Sequence, residues 1–468
     1  MLVSCDTSAS PSVHSPPKIG LAPEQRPDIV LVSIDSLRAD HVGCYGYGRP
    51  TTPTIDGLAA QGARFENAVS TTSWTLPAHA SLFTGLYSDT HGVVDNGLAL
   101  SANITTLTEA LKGAGYHTAG FFGGPYLMPE FGFGQGFDTY ECCMSQFQPG
   151  QFHSEDDDRV GIQSFADITG PLTLEKTKAW IDKLDSRPFF LFVHMWDVHY
   201  DYIPPPEYAR MFDPDYTGTL DGRRLLGNKA IRAGMPQRDL EHLVALYDGE
   251  IRYTDDNLAR ILTELDRAGR LDSALVVVTA DHGDEFFEHG QKGHQKTLYD
   301  EVLKVPLVIR WPGKIQPRQV ADQVRIIDIM PTVLSLAGVQ LDSPMDGRDL
   351  GPLLRGEPLE PAPALCDLQA RGKPRLQAVR TNETKFIKFP TAHWWQFGYQ
   401  YFDLQEDPGE HEVLPLWSPG LWQARSELKR LRADSIALAS RLGGTSAEGP
   451  QTLNELKDRL RSLGYVGD

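Results

Sequence analysis

Cysteine is scarce in this chain. Its five residues in 468, Cys5, Cys44, Cys142, Cys143 and Cys366, include no Cys-x-x-Cys pair, so neither a zinc ribbon nor a disulfide framework is indicated. Vicinal Cys142-Cys143 reads most simply as a packing feature, with redox sensing as the alternative. Apolar runs are short, and none approaches the ~20 residues of a membrane-spanning helix. Positive charge is outnumbered: 44 Lys and Arg face 62 Asp and Glu, a formal net charge of −18. No basic block offsets that balance, which argues against a nucleic-acid surface. Internal repeats and heptad runs are also missing.

What is present suits a loop-rich globular enzyme: 41% hydrophobic residues, 23% charged, 43 Gly and 33 Pro. A chain of this length buries a large core, expected as one big domain and a smaller one. The expected divisions are a flexible tail over 1–27, a main domain over 28–358 and a C-terminal subdomain over 359–468. The start, Leu2-Val3-Ser4-Cys5 followed by a Ser/Pro-rich stretch to Pro27, carries two readings. One is a lipoprotein-type tether in which Cys5 bears the lipid, attaching the protein to a membrane in a bacterial periplasm or at the cell surface. The other is a disordered tail with a chance cysteine.

Asp28 to Asp35, Phe189 to His194, Leu275 to Ala280 and Pro306 to Trp311 are apolar runs expected as buried strands. A further strand is expected at 117–122. Helices are expected at 54–62, 107–111, 173–184 and 240–265, the last with Leu240, Leu243, Tyr247, Ile251, Leu258 and Leu265 on one stripe. This alternation predicts an α/β fold: a large mixed, mainly parallel sheet sandwiched by helices. Residues 123–170 and 207–238 read as loops, Glu155-Asp156-Asp157-Asp158 among them as a solvated run. Short strands at 379–381, 385–388 and 401–404 predict a small C-terminal antiparallel sheet, followed by helices at 421–442 and 453–463.

The chemistry centres on residues 73–85, SWTLPAHASLFTG. Pro77 removes a backbone donor and fixes φ, and the small and apolar residues after it read as a helix ending near Gly85. Thr75 then stands at a helix start, where unpaired N–H groups face an anion; its plainer role there is an N-cap. Asp35 ends the first strand and Asp281-His282-Gly283 follows another, the place where open α/β sheets hold ligands. Asp35, Asp281, His282 and the Thr75 hydroxyl can surround one divalent cation such as Zn²⁺, Mn²⁺ or Ca²⁺. Such an ion activates the hydroxyl and draws charge from a phosphoryl or sulfuryl oxygen. His199 and His294 are candidates to bind the transferring group or to protonate the leaving oxygen. Taken singly, each residue has a structural reading: a strand-end Asp caps a helix, Asp-His-Gly makes a turn, and a lone His lies at the surface. Asp284, Glu285 and Glu288 read as solvated or as outer support. The joint occurrence points to a catalytic site.

Over about residues 28–412 the chain resembles the sulfatases of the alkaline phosphatase superfamily. The matching pieces are VSIDSLRADH (32–41), ASLFTG (80–85), YDGEI (247–251), TADHG (279–283), LYDE (298–301), DIMPT (328–332) and FDLQEDP (402–408). The resemblance implies an alkaline phosphatase-like fold, a metal site at Asp35, Asp281 and His282, and a nucleophile at Thr75. Sulfatases carry Cys-x-Pro-x-Arg, whose Cys is oxidised to formylglycine. Here the segment is Thr75-Leu76-Pro77-Ala78-His79, so no formylglycine is expected and His79 becomes a candidate to stabilise the transferring group. The sulfatase acidic pair is reduced to Asp35-Ser36, and the Gly-Lys-Trp-His anion-binding segment is replaced by Phe122-Gly123-Gly124-Pro125.

A threonine with Asp-His and a further His twelve residues on is similar to phosphoethanolamine transferases and nucleotide pyrophosphatase/phosphodiesterases. In the manner of related phosphodiesterases, Asp197, His199 and His294 could hold a second cation; contact of the two histidines with substrate alone is the preferred reading. The expected function is a metal-dependent hydrolase that forms an ester on Thr75, acting on phosphate monoesters, diesters or sulfate esters. The alternatives are a transferase that passes the group to another alcohol, and a non-catalytic protein that binds an anionic glycan or lipid head group.

Overall fold

A computed structural model of the chain describes residues 18–22, 25–95, 97–144, 168–369, 374–390, 398–443 and 446–448. Cys5, the acidic run at 155–158 and the helix expected at 453–463 lie outside the described residues. No helix of the described residues is long and apolar enough to cross a membrane.

The centre is one eight-stranded sheet. In chain order its strands are β1 (Ile29–Ile34), β2 (Ala63–Val69), β3 (His117–Phe122), β4 (Thr139–Cys142), β5 (Phe189–Met195), β6 (Leu275–Ala280), β7 (Lys304–Arg310) and β8 (Arg318–Arg325). Their spatial order is β8-β2-β7-β6-β1-β5-β3-β4. The apolar runs occupy the middle: β1, β5 and β6 are buried along their whole length, as a parallel sheet covered on both faces requires. β1 pairs in parallel with β5 and β6, Ile29 lying opposite Phe190 and Leu275.

Only β7 runs against its neighbours, antiparallel to β2 and β6. Its composition announces a buried strand but says nothing of direction. Pro306 cannot donate to the ladder, and the register with β2 shifts between Val305 and Leu307. There the Tyr45 hydroxyl accepts from the Leu307 N–H at 2.8 Å and donates to the Phe65 carbonyl at 2.9 Å.

Helices pack on this sheet: α1 (Pro53–Ala59), α2 (Thr75–Thr84), α3 (Leu107–Gly113), α4 (Gly170–Ile181), α5 (Gln237–Arg267) and α6 (Ile329–Leu336). α3 opens on a capping box between Thr106 and Glu109. α5 buries Leu243, Tyr247, Ile251, Leu258 and Leu265 along one face, the stripe its spacing predicts, while Leu240 in its first turn is half-buried. A second sheet of β9 (Ala364–Leu368), β10 (Leu376–Arg380), β11 (Thr384–Lys388) and β12 (Tyr399–Asp403) is antiparallel in sequential order, and α7 (Leu421–Arg441) follows it. Charge ties this unit to the main one: Asp300 meets Arg380 at 2.7 Å and Lys385 at 2.9 Å, and Lys385 reaches Glu410 at 2.9 Å. The vicinal cysteines belong to the packing, since burial pushes the Cys143 thiol up to about 12, far from a reactive thiolate.

Candidate active site

Three adjacent central strands deliver the site at their carboxyl ends. Asp35 follows β1, Asp281-His282 follows β6, and His194 and His199 lie at the end of β5 and just beyond it. α2 brings Thr75 as its first residue, preceded by Trp74 in extended conformation. The helix is buried along its length and stops at Gly85, whose φ of 66° is the left-handed stop that favours glycine.

The Thr75 Oγ1 lies 3.2 Å from His282 Nε2 and 3.4 Å from Asp35 Oδ2. The His282 Nδ1–H donates to the Gly283 carbonyl at 3.1 Å, which leaves the Nε2 lone pair facing the hydroxyl. Ser36 takes a left-handed φ of 54°, a conformation unusual for a residue with a side chain. That turn aims its N–H at Asp281 Oδ1 (3.2 Å) while its hydroxyl donates to Asp35 Oδ1 (2.7 Å). One oxygen of each carboxylate is thus held from behind. The other oxygen of Asp281 is buried without a hydrogen bond among the described residues.

Asp35 and Asp281 are a strongly interacting pair. Burial pushes the Asp281 carboxyl up, the neighbouring Asp35 charge adds to the effect, and the result is about 6. Burial acts on Asp35 in the same sense, but the His194 contact and the charges of His199 and His282 carry it below the usual carboxylate range. Ligand atoms of Asp35, Asp281 and His282 all lie within 4.8 Å of one another. No lysine or arginine pairs with these carboxylates among the described residues. Two buried carboxylates without a fixed counter-charge cost several kcal/mol, and an unsatisfied oxygen aimed between them is what a cation site requires. The residues fit a divalent ion.

His79 lies one helical turn beyond Thr75 and is wholly buried. Its Nδ1–H donates to the Thr75 carbonyl at 2.9 Å and its Nε2 accepts from the Ser33 hydroxyl at 3.0 Å. Burial, then the His194 charge, hold it well below its ordinary pKa, so the ring is neutral and braces the first turn of α2. His199 donates Nδ1–H to the Tyr200 carbonyl at 2.5 Å and stacks on Trp196 with 4.0 Å between centroids; burial leads in lowering it to about 4. His294 donates Nδ1–H to Asp284 Oδ1 at 2.6 Å, and its ring lies 4.3 Å from that of His282 and 5.0 Å from that of His199.

Among the described residues, Asp197 shares no group of mutually close ligand atoms with these two histidines. It accepts from the Thr169 N–H at 2.6 Å and from the Thr169 hydroxyl at 3.2 Å, next to the start of α4. The second group of mutually close ligand atoms is His282, Asp284 and His294 instead. It shares His282 with the first, and its Asp284 and His294 are already hydrogen-bonded to each other. Asp284 and Glu285 are buried rather than solvated. Asp284 holds His294 and accepts from the Tyr202 hydroxyl at 2.5 Å; Glu285 accepts from the Gln291 N–H (2.6 Å), the His289 N–H (3.1 Å) and the Thr297 hydroxyl (3.1 Å), folding the loop that carries His294.

His194 escaped the sequence reading. It is wholly buried, lies 3.4 Å from Asp35 Oδ2, and its ring stands 4.7 Å from that of His79. The signal available was a histidine near the end of a run too apolar to need one. Phe122-Gly123-Gly124-Pro125 offers no cation and has another use. A Cβ on Gly123 would sit 2.4 Å from the Trp196 Cβ, and one on Gly124 (φ 82°) 2.4 Å from the indole ring. The two glycines make the cradle for the indole on which His199 stacks.

An alcohol at a helix start, set against buried acids and imidazoles at the ends of central strands, defines an enzyme that opens ester bonds. The sulfatase family model matches residues 27–339, and the chain belongs to that family; it is a hydrolase acting on ester bonds. The model described as N-sulphoglucosamine sulphohydrolase, C-terminal, matches residues 288–429. An N-acetylglucosamine-6-O-sulfatase of Bacteroides thetaiotaomicron is 24% identical over 82% of this chain and 82% of its own length. Arylsulfatase A of Homo sapiens is 27% identical over 94% of this chain and 88% of its own. The crystal structure of phosphonate monoester hydrolase of Agrobacterium radiobacter matches with a TM-score of 0.71 at 23% identity, covering 88% of this chain and 96% of that one, a likeness of fold.

Proposed function

We propose that this enzyme hydrolyses phosphoryl or sulfuryl esters by way of a covalent ester on Thr75. The observation that carries the reading is the Thr75 hydroxyl at 3.2 Å from His282 Nε2 and 3.4 Å from Asp35 Oδ2. The names of its relatives, sulfatases and a phosphonate monoester hydrolase, support a tetrahedral oxyanion as the reacting group.

The chain's own groups divide the work. Thr75 Oγ attacks the central atom as its proton passes toward Asp35 Oδ2. The first turn of α2, braced by His79, presents backbone N–H groups to the oxyanion. His294, its Nδ1–H held by Asp284, takes up a solvent proton at Nε2 with the anionic substrate and passes it to the leaving oxygen, with His199, fixed by the Tyr200 carbonyl, packed beside it. Neutral again, His294 draws a proton from water as it opens the Thr75 ester, and the proton on Asp35 returns to the Thr75 oxygen. A divalent ion held by Asp35, Asp281 and His282 would supply Lewis-acid stabilisation of a non-bridging oxygen.

Threonine lacks the second hydroxyl of a formylglycine hydrate, so its ester must be opened by attack on the central atom. Phosphoryl centres tolerate that route well, and phosphodiesters or phosphonate monoesters are the preferred substrates, with sulfate esters next. The test is turnover of nitrophenyl sulfate, a nitrophenyl phosphodiester and nitrophenyl phosphate by metal-loaded protein beside Thr75→Ala. The reading expects turnover of at least one ester and its loss in the variant. Equal rates in the two proteins would contradict it.

A further inference from the structure

The chain is acidic, with a formal net charge of −18, yet one recess among the described residues is lined by cations and by no acid. It holds about 310 Å³ between the second sheet and α7, with Lys388 of β11 and Arg425, Lys429 and Arg432 of α7 set around the buried Phe386 and Leu428. Helical spacing puts the acids of α7 on another flank, where Glu427 and Asp434 pair with Arg430 at 2.5 and 2.8 Å. Arg432 pairs with Asp89 at 2.9 Å. Among the described residues Lys388, Arg425 and Lys429 have no carboxylate partner. Arg425 is stacked instead: its Cζ lies 4.6 Å from the centre of the Trp422 ring and 5.7 Å from that of Tyr399, which positions the guanidinium for an anion.

The same face of α7 is apolar at both ends. Trp422 is 67% exposed and Ile436 is 50% exposed, and they stand about 21 Å apart along the helix axis. Val413, Leu416 and Trp417, just before α7, are exposed as well. Five of the eight exposed large apolar residues among those described therefore fall within 413–436, which puts exposed apolar surface beside unpaired positive charge. We propose that this face docks on an anionic lipid surface, with a lipid phosphate between Lys388, Arg425 and Lys429 while Trp422 and Ile436 enter the headgroup boundary. The cations give an otherwise acidic molecule one sense of approach to a negative surface. The apolar ends favour lipid over a soluble polyanion: an interface that is apolar beneath its charges takes up both Trp422 and Ile436, and a hydrophilic chain leaves Ile436 in water.

Sedimentation with vesicles tests this. The full chain carries Cys5→Ser, so that no lipid on that residue contributes. It is mixed with vesicles of equal parts phosphatidylglycerol and phosphatidylcholine, with phosphatidylcholine vesicles, and with dextran sulfate as the soluble polyanion. Binding is expected to the anionic vesicles alone, and it should disappear as salt rises from about 0.05 to about 0.5 M. Replacing Lys388, Arg425 and Lys429 together by Gln should weaken it at least about thirtyfold, since each basic side chain near an anionic surface contributes a factor of about five. Trp422→Ala should weaken it about tenfold, and thermal unfolding of each variant should match that of the parent chain. No binding to the anionic vesicles, binding that persists in the triple variant or at high salt, or binding to dextran sulfate in place of vesicles would overturn the proposal.

Discussion

Two pairs of acids among the described residues, one wholly buried and one with a half-buried member, are treated oppositely. Asp300 and Glu410, at the seam between the large sheet and the small one, are neutralised in place by Arg380 and the wholly buried Lys385. Asp35 and Asp281, beneath Thr75, are surrounded by histidines, and among the described residues no lysine or arginine pairs with them. Burial alone therefore does not separate cement from chemistry. What separates them is whether the counter-charge is built into the fold. At the seam it is. At the site, among the described residues, it is not.

The contrast is broken most severely at the seam. Lys385→Ala strands Glu410 and leaves Asp300 to Arg380 alone, and a loss of about 3–5 kcal/mol is expected in denaturant unfolding, with no dependence on added metal. Asp281→Asn should do the reverse: the metal-free protein gains about 1–2 kcal/mol, because a charge that burial disfavours has been removed. The same variant should lose the metal-induced rise in melting temperature, worth about 2.7 kcal/mol in wild type at a hundredfold excess of ion over its dissociation constant. Asp281→Asn destabilising the metal-free protein would erase the distinction between the two pairs.

A smaller effect sharpens the comparison within the site. Gly123→Ala drives a Cβ into Trp196 and should lower kcat about tenfold by shifting His199, an effect of about 1.4 kcal/mol. In a Trp196→Ala background the same change should cost little, a coupling measurable by a double-mutant cycle. The smallest effect lies at the seam again. His289 donates to Glu301 at 2.6 Å and stacks on Tyr299 at 3.5 Å. Burial pulls its pKa down, but the Glu301 hydrogen bond and charge outweigh this and raise it to about 9. A raised folded pKa stabilises fully below the ordinary value of 6.5 and the benefit disappears as pH climbs through about 9. Urea unfolding of wild type should weaken over that window, and His289→Gln should flatten the slope.

The parts of this molecule legible in sequence are those whose physics is one-dimensional. β1, β5 and β6 are buried on both faces, so their composition gives them away. α5 shows its stripe, and α2 is punctuated by Pro77 and Gly85. β2 and β8 were not legible. They lie at one side of the sheet, and Arg64, Glu66 and Asn67 or Arg318, Gln319 and Asp322 interrupt their apolar positions. The antiparallel course of β7 depends on where the chain enters the sheet, which no local pattern records. At the site, Thr75, Asp35 and Asp281-His282 stand at element ends that sequence marks. The pairing of His294 with Asp284, the turning of Asp197 toward Thr169, and the burial of His194 beside Asp35 depend on tertiary neighbours.

The central claim is that Thr75 becomes esterified during turnover. Metal-loaded enzyme mixed with a nitrophenyl phosphodiester, quenched in acid within one turnover and digested, should yield the peptide holding residues 73–85 with the substrate's phosphoryl ester retained on Thr75. A retained group on any other residue, or full turnover by Thr75→Ala, would contradict the account.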